Sequence, residues 1–147
     1  MSLFRPATPR QTSIGLTVLR AVTGIIFAAH GGQKIFVYGF DGVAGSFGQM
    51  GLPMAGIVGP LVALVEFFGG LALILGVVTR VASFGLALVM LGAIMLVHLP
   101  NGFFSPNGFE FPMALFASAL ALAATGAGSY SVDGLIASRR PAAVRAR

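Results

Sequence analysis

The chain has 147 residues, of which 56% are hydrophobic and only 9% charged, with a mean hydropathy of +0.94. A soluble domain ordinarily carries about a quarter charged residues, so this composition excludes a water-covered globular domain and points to an integral membrane protein. The net charge of +5 lies at the edges of apolar runs, as orientation signals do, and is no nucleic-acid footprint. The absence of cysteine excludes disulfide exchange, iron–sulfur ligation and thiolate–zinc chemistry for this chain alone.

Arg5 and Arg10 precede the first apolar run, about 14–36. A cleaved signal peptide is a poor reading, because Arg20 interrupts the run and Phe27-Ala28-Ala29 is a weak cleavage site. The run is expected to be a retained span. The loop that follows, about 37–54, has Gly39, Gly42, Gly45, Gly48 and Gly51. Asp41 is expected as an N-cap, with Val43, Phe47 and Met50 on one helical face, Gly51 as the stop and Pro53 beyond it. That predicts a short helix at the membrane interface.

The second and third runs, 55–78 and 81–99, are joined by the tight turn Val78-Thr79-Arg80. The loop 100–110 combines turn residues with phenylalanines and reads as an aromatic-edged lid. The fourth run, 111–127, is short, and Pro112 suits its first turn. Asp133 in "SYSVDGL" is expected to be a cap or turn residue. The chain thus divides into an N-terminal segment 1–13, a four-span domain 14–128 and a basic tail 129–147.

Arg5, Arg10, Arg80, Arg139, Arg140, Arg145 and Arg147 all fall on one side of an even-numbered topology. The positive-inside rule then puts both termini in the cytoplasm. Gly59, Ala63, Glu66 and Gly70 form one helical stripe in span two; Ala114, Ala117, Ala121, Ala124 and Gly128 form another in span four. Small residues let membrane helices approach closely. The expected fold is all-α: an antiparallel four-helix membrane bundle with a short interfacial helix in the first outer loop.

Intramembrane ionisable residues are candidate functional sites. Arg20 is six residues into span one, about 9 Å from its cytoplasmic end, and Glu66 is about 16 Å deep from the other side at the usual helical rise. In a core about 30 Å thick the two are within reach of each other, so a structural ion pair Arg20–Glu66 is expected; without it, Glu66 would be a protonatable acid. His30, Lys34, His98 and Glu110 share the outer half and form, with Glu66, a candidate ligand pocket. Glu66, His98 and Glu110 are its candidate catalytic groups. Each has a plainer structural reading: Lys34 can snorkel to the headgroups, Glu110 suits a helix N-terminus, and His98 can hydrogen-bond a loop carbonyl. A haem held by two histidines, or a metal held by His30, His98 and Glu110, has no enforcing spacing, and no metal is expected.

Arg20, "GGQKIF", "GLP", "EFFGGLALILGVVTR", His98, "GFE" and "GAGSYSVD" occur in this order over about residues 13–136. Together they resemble the DoxX family of small bacterial membrane proteins. The resemblance implies a four-span protein of the bacterial cytoplasmic (inner) membrane linked to redox work, and Arg20, Lys34, Glu66, Arg80, His98 and Glu110 occupy its motif positions. The expected function is a redox-associated membrane subunit that binds a quinone or similar small molecule and works with soluble or membrane partner proteins, with a homo-oligomer also open. The alternatives are a proton-coupled small-molecule transporter centred on Glu66, and a non-enzymatic scaffold that recruits partners or anionic lipid through "SRRPAAVRAR".

Overall fold

The computed structural model describes residues 5–139; Arg140, Arg145 and Arg147 of the basic tail lie outside the described residues. The described chain is helical, without strands. Helix α1, Pro9–Gly32, begins at a capping box: the Thr8 hydroxyl accepts from Gln11 N–H, the Gln11 side chain reaches back to Thr8 N–H, and Pro9 fills the first helical position. The helix therefore starts several residues before the apolar run that marks it in the sequence. It continues through a π-helical segment, Gln33–Tyr38, to Gly39, whose φ of +69° breaks the path.

Helix α2, Gly39–Gln49, fills the first loop. Asp41 is not its N-cap, as the sequence suggests, but lies inside the first turn, because the left-handed Gly39 starts the helix two residues earlier. Gly51, at φ +74°, follows its C-terminal end as expected. Buried Val43 turns α2 onto Gly59 of the next helix. Helix α3, Ala55–Leu75, stops at left-handed Gly76, and α4, Thr79–Ala93, follows at once. A second π-helical segment, Ile94–His98, and a short 3-10 turn extend α4. Helix α5, Glu110–Thr125, has Pro112 in its first turn, and a last helix α6, Val132–Ser138, lies in the stretch that reads as tail.

Two stretches, α3 and Thr79–Asn101, are long and apolar enough to cross a membrane, and so is the continuous helical stretch that begins with α1; α5 is apolar but shorter. The helices run antiparallel. The start of α1, the α3–α4 turn, the end of α5 and α6 gather at one end, called here the turn end. The two long connections lie at the other, the loop end. Helices α1 and α3 cross closely because both present small residues. A methyl at Gly24 would meet Gly70 O at 2.7 Å, and one at Gly31 or Gly70 would collide with the facing backbone. Gly59, Ala63, Glu66 and Gly70 are all buried on this face.

The alanine stripe of span four does the opposite of what is expected. Ala114, Ala117, Ala121 and Ala124 are exposed, and α5 buries Pro112, Leu115, Ala119 and Leu122 instead. The reason is the partner surface. Helix α4 supplies Leu86, Ala87 and Met90 to a core that Leu115 and Leu122 fill by bulk.

Candidate functional site

The ionisable residues separate into two groups by end. At the turn end Arg20 is 2% exposed. Its Nη1 donates to Leu73 O at 2.7 Å and Ile74 O at 2.6 Å, and its Nη2 donates to Tyr130 O at 2.8 Å. The expected Arg20–Glu66 ion pair does not form. The last carbonyls of α3 carry the negative end of the helix dipole and keep acceptor capacity, Leu73 O taking only a long 3.2 Å bond from Gly76 N–H, so they already constitute the acceptor a buried guanidinium needs. Asp133 completes this end: its carboxylate accepts from Val78 N–H and Thr79 N–H, both at 2.9 Å, at the start of α4. The expected cap residue is thus a cap for a helix more than fifty residues away.

At the loop end Glu66 is 4% exposed and pairs with Lys34, whose Nζ lies 2.5 Å from Glu66 Oε2. The close α1–α3 crossing sets the two at reachable heights. The pair borders a cavity of about 640 Å³, a size suited to a drug-sized molecule. Its walls are largely apolar, with Phe27 from α1, Val58 and Val62 from α3, Val89 and Ala93 from α4, and Leu115 from α5. His30, Lys34, Glu66 and His98 are its ionisable members, and Phe47, Ser105 and Pro106 close it from the two long connections.

Four of the five expected pocket residues therefore meet at one cavity. Glu110 does not line it. Its Oε1 accepts from Ser105 N–H at 2.7 Å and holds the loop that roofs the cavity. His98 Nδ1 lies 2.9 Å from Asn107 O. A carbonyl only accepts, so Nδ1 carries the hydrogen, and in the neutral tautomer this leaves the Nε2 lone pair for another partner. His30 makes a tilted ring contact with Phe111, centroids 6.5 Å apart. Lys34 and His98 each sit on a π-helical segment; such segments are rare and recur at functional sites. Among the described residues no three His, Asp or Glu side chains are grouped to hold a metal ion.

In chemical terms the cavity offers an apolar interior and a polar edge where the charges of Lys34 and Glu66 offset each other. Lys34 retains donors beyond the one it gives Glu66, Glu66 retains its second oxygen as acceptor, and His98 retains Nε2. The sequence reading missed the Lys34–Glu66 pairing, because Lys34 at a span end is equally well placed to snorkel. The signal that could have found it is the register of the small residues: Gly24 and Gly31 facing Gly70 and Ala63 bring Lys34 to the level of the turn before Glu66.

The family model described as DoxX matches residues 15–99, a stretch that includes Arg20, His30, Lys34, Glu66 and His98. The chain is 34% identical over 124 residues to the Bacillus subtilis protein named "Putative oxidoreductase CatD", covering 84% of this chain and 88% of that one. It is 37% identical over 125 residues to the inner membrane protein YqjF of Escherichia coli, covering 84% and 92% respectively. It is 31% identical over 135 residues to the uncharacterized membrane protein Rv3486 of Mycobacterium tuberculosis, covering 84% and 82%. No solved structure matches.

Proposed function

The chain belongs to the DoxX family of membrane proteins, and from that premise we propose that it is a redox-associated membrane subunit whose loop-end cavity binds a quinone or a similar small molecule. One observation carries this reading: a cavity of about 640 Å³ with apolar walls ends in a set of donors and acceptors made of the charge-compensated Lys34–Glu66 pair and the two histidines. A quinone asks for that combination. Its ring is apolar and flat, its oxygens accept hydrogen bonds when oxidised and donate them when reduced. Lys34 would donate to an oxygen; Glu66 and His98 Nε2 would accept from a hydroxyl. A relative named as an oxidoreductase lends support.

The chain has no cysteine, so electrons are supplied and withdrawn by the quinone and by partner proteins, and this chain positions the ring and handles its protons. The arginine distribution supports an orientation with the turn end toward the cytoplasm and the cavity toward the outer half of the membrane.

The test is thermal protection in mild detergent. Menadione or duroquinone at about a hundred times its Kd should stabilise the protein by about 2.7 kcal/mol, read as a rise in melting temperature. Glu66→Gln and His98→Ala should each weaken that protection. A flat melting temperature with every quinone tried would sink the proposal.

A further inference from the structure

The glycines of the bundle mostly have packing reasons to be glycine. Gly24, Gly31 and Gly70 let the backbones of α1 and α3 touch, Gly59 admits α2, and Gly69 sits against Leu86. Gly92 of α4 has no such reason: a methyl built there would meet no protein atom within 4 Å. Glycine in a helix interior is nevertheless about 1 kcal/mol less favourable than alanine. Gly15 and Gly56 are equally open, but they lie on the exposed surface. Gly92 is half-buried and lines the cavity.

Its neighbours make it a notch. Leu88 and Leu96, one turn to either side on the same face, also line the cavity, and Ala93 beside it is the next smallest residue of that wall. The notch has a definite depth. The contacts of Gly85 with Val65 and of Gly69 with Leu86 set the α3–α4 register, which brings Gly92 to the stretch between Val58 and Ala63, about one to two turns from Glu66. The α1–α3 contacts bring Lys34 to the same level. The ion pair on α1 and α3 and the notch on α4 therefore belong to the same layer of the cavity.

We infer that Gly92 is a specificity-determining residue of this cavity, a flat rest for the face of a planar ring whose oxygen-bearing edge meets Lys34 and Glu66. The inference rests on the ligand-binding reading above and narrows it to a ligand class: flat, uncharged rings with hydrogen-bonding oxygens at the edge. The helix amide and carbonyl at Gly92 are engaged in the backbone, so the rest is apolar and selects by shape. A methyl at this position would enter the space of the ring without meeting a facing element of the protein.

The experiment compares wild type, Gly92→Ala and Gly92→Leu by two measurements, the melting temperature without ligand and the Kd for menadione. Gly92→Ala should melt at or above the wild-type temperature without ligand. Its menadione Kd should rise about tenfold or more, the effect of one methylene in an apolar pocket, and Gly92→Leu should abolish binding. This split, with a protein at least as stable and a ligand site lost, is one that a packing glycine cannot produce. A lower ligand-free melting temperature for Gly92→Ala would overturn the inference, since it would mean that Gly92 is packed. Wild-type Kd in Gly92→Ala would also overturn it, while leaving quinone binding intact. If menadione and duroquinone fail to bind the wild type, both readings fall. Should Gly92→Leu not fold, Gly92→Ala alone decides.

Discussion

The two ends of the bundle each bury charge in an apolar chain, and they use it differently. At the turn end Arg20 and Asp133 each answer a backbone need. Arg20 donates to the carbonyls that end α3, and Asp133 accepts from the amides that begin α4. A cation thus sits at a helix C-terminus and an anion at a helix N-terminus, each of the sign that the dipole favours. The turn between them is tight enough to force Val78, a β-branched residue, to φ +42°, a strained conformation that persists only where the surroundings over-determine it. Asp133 Oδ1 on Val78 N–H is one such constraint. At the loop end the charges answer each other, and a cavity lies beside them. The difference teaches that a buried charge in a membrane chain is informative about function only after its hydrogen bonds have been traced. Arg20 commits both terminal nitrogens to backbone carbonyls and keeps only a buried Nε without a hydrogen-bond partner among the described residues, whereas Glu66 and His98 keep acceptor positions beside a cavity.

The comparison breaks most visibly at Arg20. Arg20→Met should destabilise the protein by about 3–5 kcal/mol, because three buried hydrogen bonds to a charged donor are lost and Leu73 O keeps only its long bond from Gly76 N–H. Thermal melting in detergent measures this, and surviving folded protein should keep its quinone Kd, since the cavity is at the other end. An equal loss of binding would join the two ends that the geometry separates. The Lys34–Glu66 pair comes next. Glu66→Gln or Lys34→Met alone should cost about 2 kcal/mol, less than a fully buried pair, since Lys34 retains 20% of its side-chain exposure. The double variant should recover part of that loss by a double-mutant cycle while binding stays weak. Additive losses would show that the two side chains do not support each other. The smallest effect is expected at the cap. Asp133→Ala should lose about 1–2 kcal/mol, as N-cap deletions do, with Asp133→Asn intermediate, and should leave ligand affinity unchanged. A loss within 0.5 kcal/mol, the ordinary range of surface changes, would mean that the α3–α4 turn holds its shape unaided.

Much of the fold is legible because a membrane imposes few alternatives. Backbone groups in lipid must be satisfied internally, so apolar runs of the right length become helices, and the α3 stripe Gly59-Ala63-Glu66-Gly70 packs because only small residues admit a neighbouring backbone. The same reasoning misplaces the alanine stripe of α5. Small residues permit close approach but do not compel it, and the bulk of Leu115 and Leu122 against α4 decided which face turned inward. Asp41 and Asp133 divide along similar lines. Each is a fair cap candidate from its surroundings, but Gly39 moves the start of α2 past Asp41, and Asp133 finds its amides more than fifty residues upstream.

The candidate site shows the same division. The identity and rough depth of His30, Lys34, Glu66 and His98 follow from where they stand in their runs, since helical rise converts position into height. Glu110 shares that height and still lies outside the cavity, because height leaves the angle around the helix axis open. Partnership depends on that angle as well: Lys34 rather than Arg20 meets Glu66, since Arg20 turns to the carbonyls ending α3. Composition and periodicity sufficed for a family-like bundle of apolar helices, because hydrophobic burial acts on runs of residues. Pairings, caps and the cavity came only with packing, because they depend on crossings and rotations set jointly by residues far apart in the chain.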